Sequence, residues 1–219
     1  MQPLLENLHQ FRPENFGASR DLLHRASHHE PPPPALLVTC ADAGLLAERL
    51  TESNPDGFCF ASGLGTFVPP ANAVADGDDD SLVATLDYAV RVLRVRAIVV
   101  CGHSRCCAMA TLLRGSLPGT PQANLAWWLE RAAPLRDLIQ SHYAHLTDNA
   151  ERQRAAELEA VLISVENLPG YPCVRERLEE GVLHLHGWFF NAATAELFTY
   201  NPVTGRFELL MTFAEGRRG

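Results

Sequence analysis

Three residues carry the first chemical suggestion in this chain. "VVCGHSRCCAM" holds His103 and Cys106 in an H-x-x-C spacing, directly after an apolar run. "ALLVTC" ends in Cys40, 63 positions before His103, and Asp42 follows two residues later. A buried cysteine is an ordinary core residue, since free thiols are among the most buried side chains. Two thiolates and an imidazole brought to one point would instead suit a borderline-soft cation that accepts tetrahedral geometry, which is Zn2+. With three protein ligands the fourth place belongs to water, as in catalytic sites. A fourth protein ligand closes the site, and Asp42 is the candidate for that place.

Convergence of these residues requires two strand ends to lie side by side. "ALLVTC", "GFCFAS" and "RAIVVCG" are short, mostly apolar runs of the kind expected for strands buried on both faces. "VLHLHGWFFN" and "AELFTYN" are two further strands joined by a tight turn. Helical spacing marks "GLLAERLTES", "SLVATLDYAVRVL" and "RCCAMATLLRG". It also marks two long helices over 123–146 and 149–168, and a short one from Pro172. The alternation predicts an α/β fold with a mainly parallel central sheet flanked by helices. Chemistry in such sheets gathers at the carboxyl ends of the strands. The apolar set Leu4, Leu5, Leu8 and Phe11, followed by "HHEPPPP", predicts an N-terminal helical arm and Pro-rich linker over 1–34, ahead of an α/β domain over 35–219.

Composition narrows the function. The chain has 219 residues and a net charge of −8, which gives no support to nucleic acid or an anionic membrane as partner. Its basic residues are all arginine. No apolar run is long enough to span a bilayer. "MQPLLENLHQF" has neither a basic n-region nor an apolar h-region, so the expectation is a cytoplasmic protein with reduced or metal-bound thiols.

The order of motifs resembles the β-class carbonic anhydrases. "CADAG" stands where that family typically has Cys-x-Asp-x-Arg, and "PDGFCFASGLGTFVPP" stands where a strand leads into Arg-Asn-Ala-Gly-Asn. "AIVVCGHSRCCAM" matches a strand ending in Cys-Gly-His-Ser-x-Cys-Gly-Ala, and "WWLERAAPLR", "VENLPGYPCVRERLEEG" and "LHLHGWFFNAATAELFTY" follow in order. The resemblance runs over about residues 35–200. It implies Zn2+ held by Cys40, His103 and Cys106, with Asp42 beside the metal and Gly65 and Gly102 at the substrate. It implies reversible hydration of carbon dioxide to bicarbonate by water that the metal activates, and a homodimer or higher homo-oligomer in which the arm takes part. In active members the aspartate pairs with the arginine two residues on, which keeps it off the metal. In some members the aspartate binds zinc and shuts the site.

The sequence departs from the pattern where the resemblance places catalysis. The dyad arginine is Gly44, and Ser62 replaces a second arginine. Arg105 lies between His103 and Cys106. It reads either as a substitute guanidinium for Asp42 or as a solvent-facing residue at a helix start. The expectation is an intact metal set with a damaged catalytic pair. A zinc-binding homologue serving as a regulatory or interaction module, or acting on another small substrate, is the alternative.

Overall fold

The computed structural model describes residues 32–43, 57–74, 81–115 and 123–213. The arm, the helix expected from Gly44 and Gly44 itself lie outside the described residues. Six strands form one sheet: β1 Ala35–Cys40, β2 Phe58–Gly63, β3 Ala97–His103, β4 His184–Asn191, β5 Glu196–Asn201 and β6 Arg206–Thr212. Their order is β2-β1-β3-β4-β5-β6. The first four are mutually parallel, and β5 and β6 add antiparallel pairs. The expected α/β sandwich is therefore present.

The central strands are apolar on both faces because helices cover both. Every residue of β1 is buried, and so is β3 after Ala97. One layer of core joins Leu37, Val99 and Cys101 to Met109, Leu112, Leu135, Ile139 and Ala156. The other joins Leu36, Val38, Ile98 and Val100 to Leu82, Leu86, Val90 and Val174. The first is covered by α2 Cys107–Arg114, α3 Ala123–Arg131 and α4 Ala133–His142. The second is covered by α1 Ser81–Arg91 and α6 Pro172–Glu179. The helix α5 Asn149–Asn167 contributes to both layers.

Two features differ from the sequence expectation. The long helix over 123–146 is two helices that meet at Ala132. Pro134 stands in the first turn of α4, where its missing amide hydrogen breaks no bond of that helix but cannot continue the bonding of α3. The strand β6 was not expected. Its "RFELLMT" alternates poorly, a bulge between Leu197 and Phe198 shifts its register, and Leu209, Leu210 and Met211 are exposed.

Gly102 shows why β3 carries a glycine just before its histidine. A Cβ there would stand 2.6 Å from Val161 Cγ2 and 3.2 Å from the Glu157 carbonyl oxygen. The missing side chain lets α5 approach the sheet. Gly102→Ala should cost about 1–3 kcal/mol by overpacking, read as a lowered urea midpoint with unchanged m.

Candidate metal centre

The register of the sheet creates the site. β1 and β3 are adjacent and parallel, with Thr39 opposite Cys101, so both chains leave the sheet at the same end. Cys40 is the last residue of β1 and His103 the last of β3. Arg105, with φ 58, turns the chain, and Cys106 becomes the N-cap of α2. A non-glycine residue in this left-handed region is a local strain that the surrounding turn imposes.

The donor atoms of Cys40, Asp42, His103 and Cys106 all lie within 4.8 Å of one another. Cys40 Sγ and Cys106 Sγ are 3.7 Å apart. Two sulfurs each about 2.3 Å from a tetrahedral cation would be separated by about 3.8 Å. The thiol pair therefore already has the spacing that zinc requires. The Asp42 carboxylate differs. Its Oδ1 is 2.6 Å from His103 Nε2, and its Oδ2 accepts a hydrogen bond from the Cys107 amide at 2.9 Å. An oxygen and a nitrogen that both ligate zinc stand about 3.3 Å apart. Asp42 and His103 can share the metal once their contact opens by roughly 0.7 Å. The donor set thus fits zinc, with the thiol pair at the required spacing and the Asp42–His103 contact a short movement from its own.

Electrostatics divides the donors, lowering the pKa of Cys40 and Asp42 and raising that of His103 and Cys106. The neighbouring Cys106 thiol, with help from His103, holds the Cys40 pKa down at about 6 in spite of burial. Cys106 is pushed up by Cys40 and by burial. Burial opposes a charge on His103, but Cys40 and Asp42 overcome it and raise its pKa to about 9. Burial also acts against the Asp42 carboxylate. Hydrogen bonds from Cys40, the Cys107 amide and His103 outweigh it and hold Asp42 below the usual range.

A surrounding layer of bonds fixes these side chains. The Gly65 amide donates to Cys40 Sγ at 3.2 Å, with Gly65 at φ 64. A Cβ on Gly65 would meet Met109 Cε at 2.0 Å, so only glycine brings the amide this close. The loop carrying Gly65 is tied to α5: Ser164 Oγ donates to the Thr66 carbonyl and accepts from the Val68 amide. On the other side, Glu157 Oε1 accepts from the Cys106 amide at 2.9 Å and from Gln153 Nε2 at 3.0 Å. Gln153 Nε2 also donates to the Cys106 carbonyl. Glu157 is buried, and desolvation raises its pKa.

Glu157 and Gln153 were not singled out in the sequence. The available signal was an acid on the apolar side of α5, among Ala156, Ala160 and Val161. Glu157→Ala leaves the Cys106 amide without its acceptor. The expected cost is about 1–3 kcal/mol, with Glu157→Gln milder because its carbonyl oxygen can still accept. Zinc affinity should fall roughly 10–100-fold in the alanine variant, measured by competition with a chromophoric chelator.

The cluster opens into a cavity of ≈ 330 Å³ lined mostly by apolar groups, among them Leu64, Ala108, Leu125 and Trp128, with Cys40, Asp42 and Cys107 on its wall. Trp128 Nε1 is buried without a hydrogen-bond partner among the described residues. Gly65 is beside the cluster, as its bond to Cys40 requires. Gly102 belongs to the sheet–helix packing, and its open side is taken by Val161. Arg105 is exposed, and the groups engaging Asp42 among the described residues are Cys40, His103, Cys106 and Cys107. The solvent-facing reading of Arg105 therefore matches its position. Ser62 is exposed on β2 opposite Thr39.

Comparison with known proteins gives these donors a family. The model of the carbonic anhydrase family matches residues 35–197, which is most of the chain and includes all four donors. This chain belongs to the β-carbonic anhydrase family. A carbonic anhydrase of Synechocystis sp. is 31% identical over 207 residues, spanning 94% of this chain and 73% of the relative. One from Pseudomonas aeruginosa is 30% identical over 217 residues, spanning 99% of this chain and 95% of the relative. Among solved structures, the β-carbonic anhydrase CcaA superposes with a TM-score of 0.82 at 30% identity, over 97% of this chain and 92% of that one. Among the described residues of this chain, no helix is long and apolar enough to cross a membrane.

Proposed function

We propose that this chain is a zinc-binding carbonic anhydrase homologue whose hydration of carbon dioxide is weak because Asp42 competes for the fourth metal position. The observation that carries the proposal is the pairing of a complete donor cluster with a glycine at position 44. Cys40, His103 and Cys106 would hold the metal. When bound, zinc supplies a coordinated water whose pKa lies near 7, which makes a nucleophile available at neutral pH.

The chain's own residues decide whether that chemistry is accessible. Cys40 and Cys106 would neutralise a bound dication, and the Gly65 amide fixes the Cys40 sulfur. The apolar wall of Leu64, Leu125 and Trp128 suits a small uncharged linear substrate. Asp42 is the deciding group. Glycine at 44 offers no guanidinium, and the carboxylate's strongest attraction is then to the metal itself. It is held 2.6 Å from His103 Nε2, so ligation needs a small motion rather than a rearrangement.

Gly44 and Ser62 together also favour a second reading, a zinc-bearing module without hydration activity. Stopped-flow hydration by the zinc-loaded protein separates the two. A low rate that needs the metal supports the weak enzyme, and a fully zinc-loaded protein indistinguishable from buffer supports the module. Rates usual for the family would overturn the role given to Asp42. Association into a homodimer through the arm over 1–34 is part of the same proposal, and light scattering of a protein lacking residues 1–30 tests it.

A further inference from the structure

We propose that a cleft enclosed by α2, α4 and α5 is a binding site for a small phosphate monoester. The cleft has a volume of ≈ 310 Å³, at the lower end of the range for small-molecule pockets. Arg114, at the end of α2, and Arg152, in the first turn of α5, both line it. Gln140, Asn149 and Gln153 add amide groups, and Leu113 supplies apolar surface.

The charge of this cleft is unusual for the molecule. The chain carries 26 acidic against 18 basic residues, yet no carboxylate is among the described residues lining the cleft. Arg91, Arg136 and Arg177 each have a carboxylate within 4 Å, and several other described arginines do not. Neither Arg114 nor Arg152 has one among the described residues. The nearby acids in sequence are Asp148 and Glu151, and Asp148 is engaged as the N-cap of α5 through the Ala150 amide. Two unneutralised guanidiniums in a concave site present fork-shaped donors that match phosphate oxygens. An inorganic anion alone would leave much of the volume unfilled. The amides and Leu113 fit a short polar carbon body attached to the phosphate.

This site is separate from the metal cluster, although Gln153 touches both: it lines the cleft and donates to the Cys106 carbonyl. The test is isothermal titration of the full chain with glycerol 3-phosphate, inorganic phosphate and malonate. Glycerol 3-phosphate is expected to bind most tightly, with Kd below about 1 mM. The double variant Arg114→Gln/Arg152→Gln should weaken it at least about 10-fold. Arg114→Lys keeps the charge but loses the fork, and should give an intermediate loss. Equal affinity for inorganic phosphate would overturn the organic body, and preference for malonate would overturn the phosphate. No binding at about 10 mM, or binding unchanged in a double variant whose circular dichroism matches the wild type, would overturn the site.

Discussion

Cys106→Ser is expected to strip the metal from this protein. Zinc should fall from about one equivalent per chain to under a tenth, measured by elemental analysis of protein purified without added metal. The reason is geometric as well as chemical. The two sulfurs stand 3.7 Å apart, the separation a tetrahedral zinc demands of two thiolates. Serine keeps the shape but replaces a soft, ionisable donor with a hard hydroxyl that stays protonated. It also removes the thiol that lowers the Cys40 pKa. Cys40→Ser should behave alike and should additionally leave the Gly65 amide without its sulfur acceptor. Loss of metal need not unfold the protein, because the core layers on both faces of the sheet do not depend on it. Retention of zinc in Cys106→Ser, or a wild-type content below a tenth of an equivalent, would refute the assigned donor set.

The second large effect is a gain. Gly44→Arg combined with Ser62→Arg should raise carbon dioxide hydration over wild type by roughly 10–100-fold, the scale on which groups around a metal's ligands act. An arginine at 44 gives Asp42 a charge-assisted partner that competes with the metal. Gly44→Arg alone is expected to give less, since Ser62 still offers no guanidinium where it lines a cleft of ≈ 200 Å³ with Trp127 and Arg131. The measurement is stopped-flow hydration with zinc content matched between variants. A double variant no faster than wild type, at equal zinc, would show that Asp42 is not the obstacle. Wild-type protein already running at family rates would show that no obstacle exists.

Much of this was readable in the residue order. The buried strands declared themselves as short apolar runs, because a sheet covered on both faces leaves no polar alternation. His103 and Cys106 were legible as a pair since a three-residue spacing across one turn is local. The family resemblance rested on motifs of the same local kind, and so did the absence of arginine at Gly44 and Ser62. That absence needs no coordinates, because a missing side chain is a fact of sequence.

The tertiary structure decided what depended on distant approach. Cys40 meets Cys106 through the parallel pairing of β1 with β3, across 66 positions of chain. The division of the helix at Ala132 turned on how a proline was accommodated, and β6 formed because β5 offered an edge to a segment with little pattern of its own. Gly102 is explained by Val161, and the Cys106 amide is satisfied by Glu157, 51 residues later. The approaches of Cys40 to Cys106, Val161 to Gly102 and Glu157 to the Cys106 amide join elements far apart in sequence. Hydrophobic period and residue type report which face of an element is buried, and are silent on which partner arrives there.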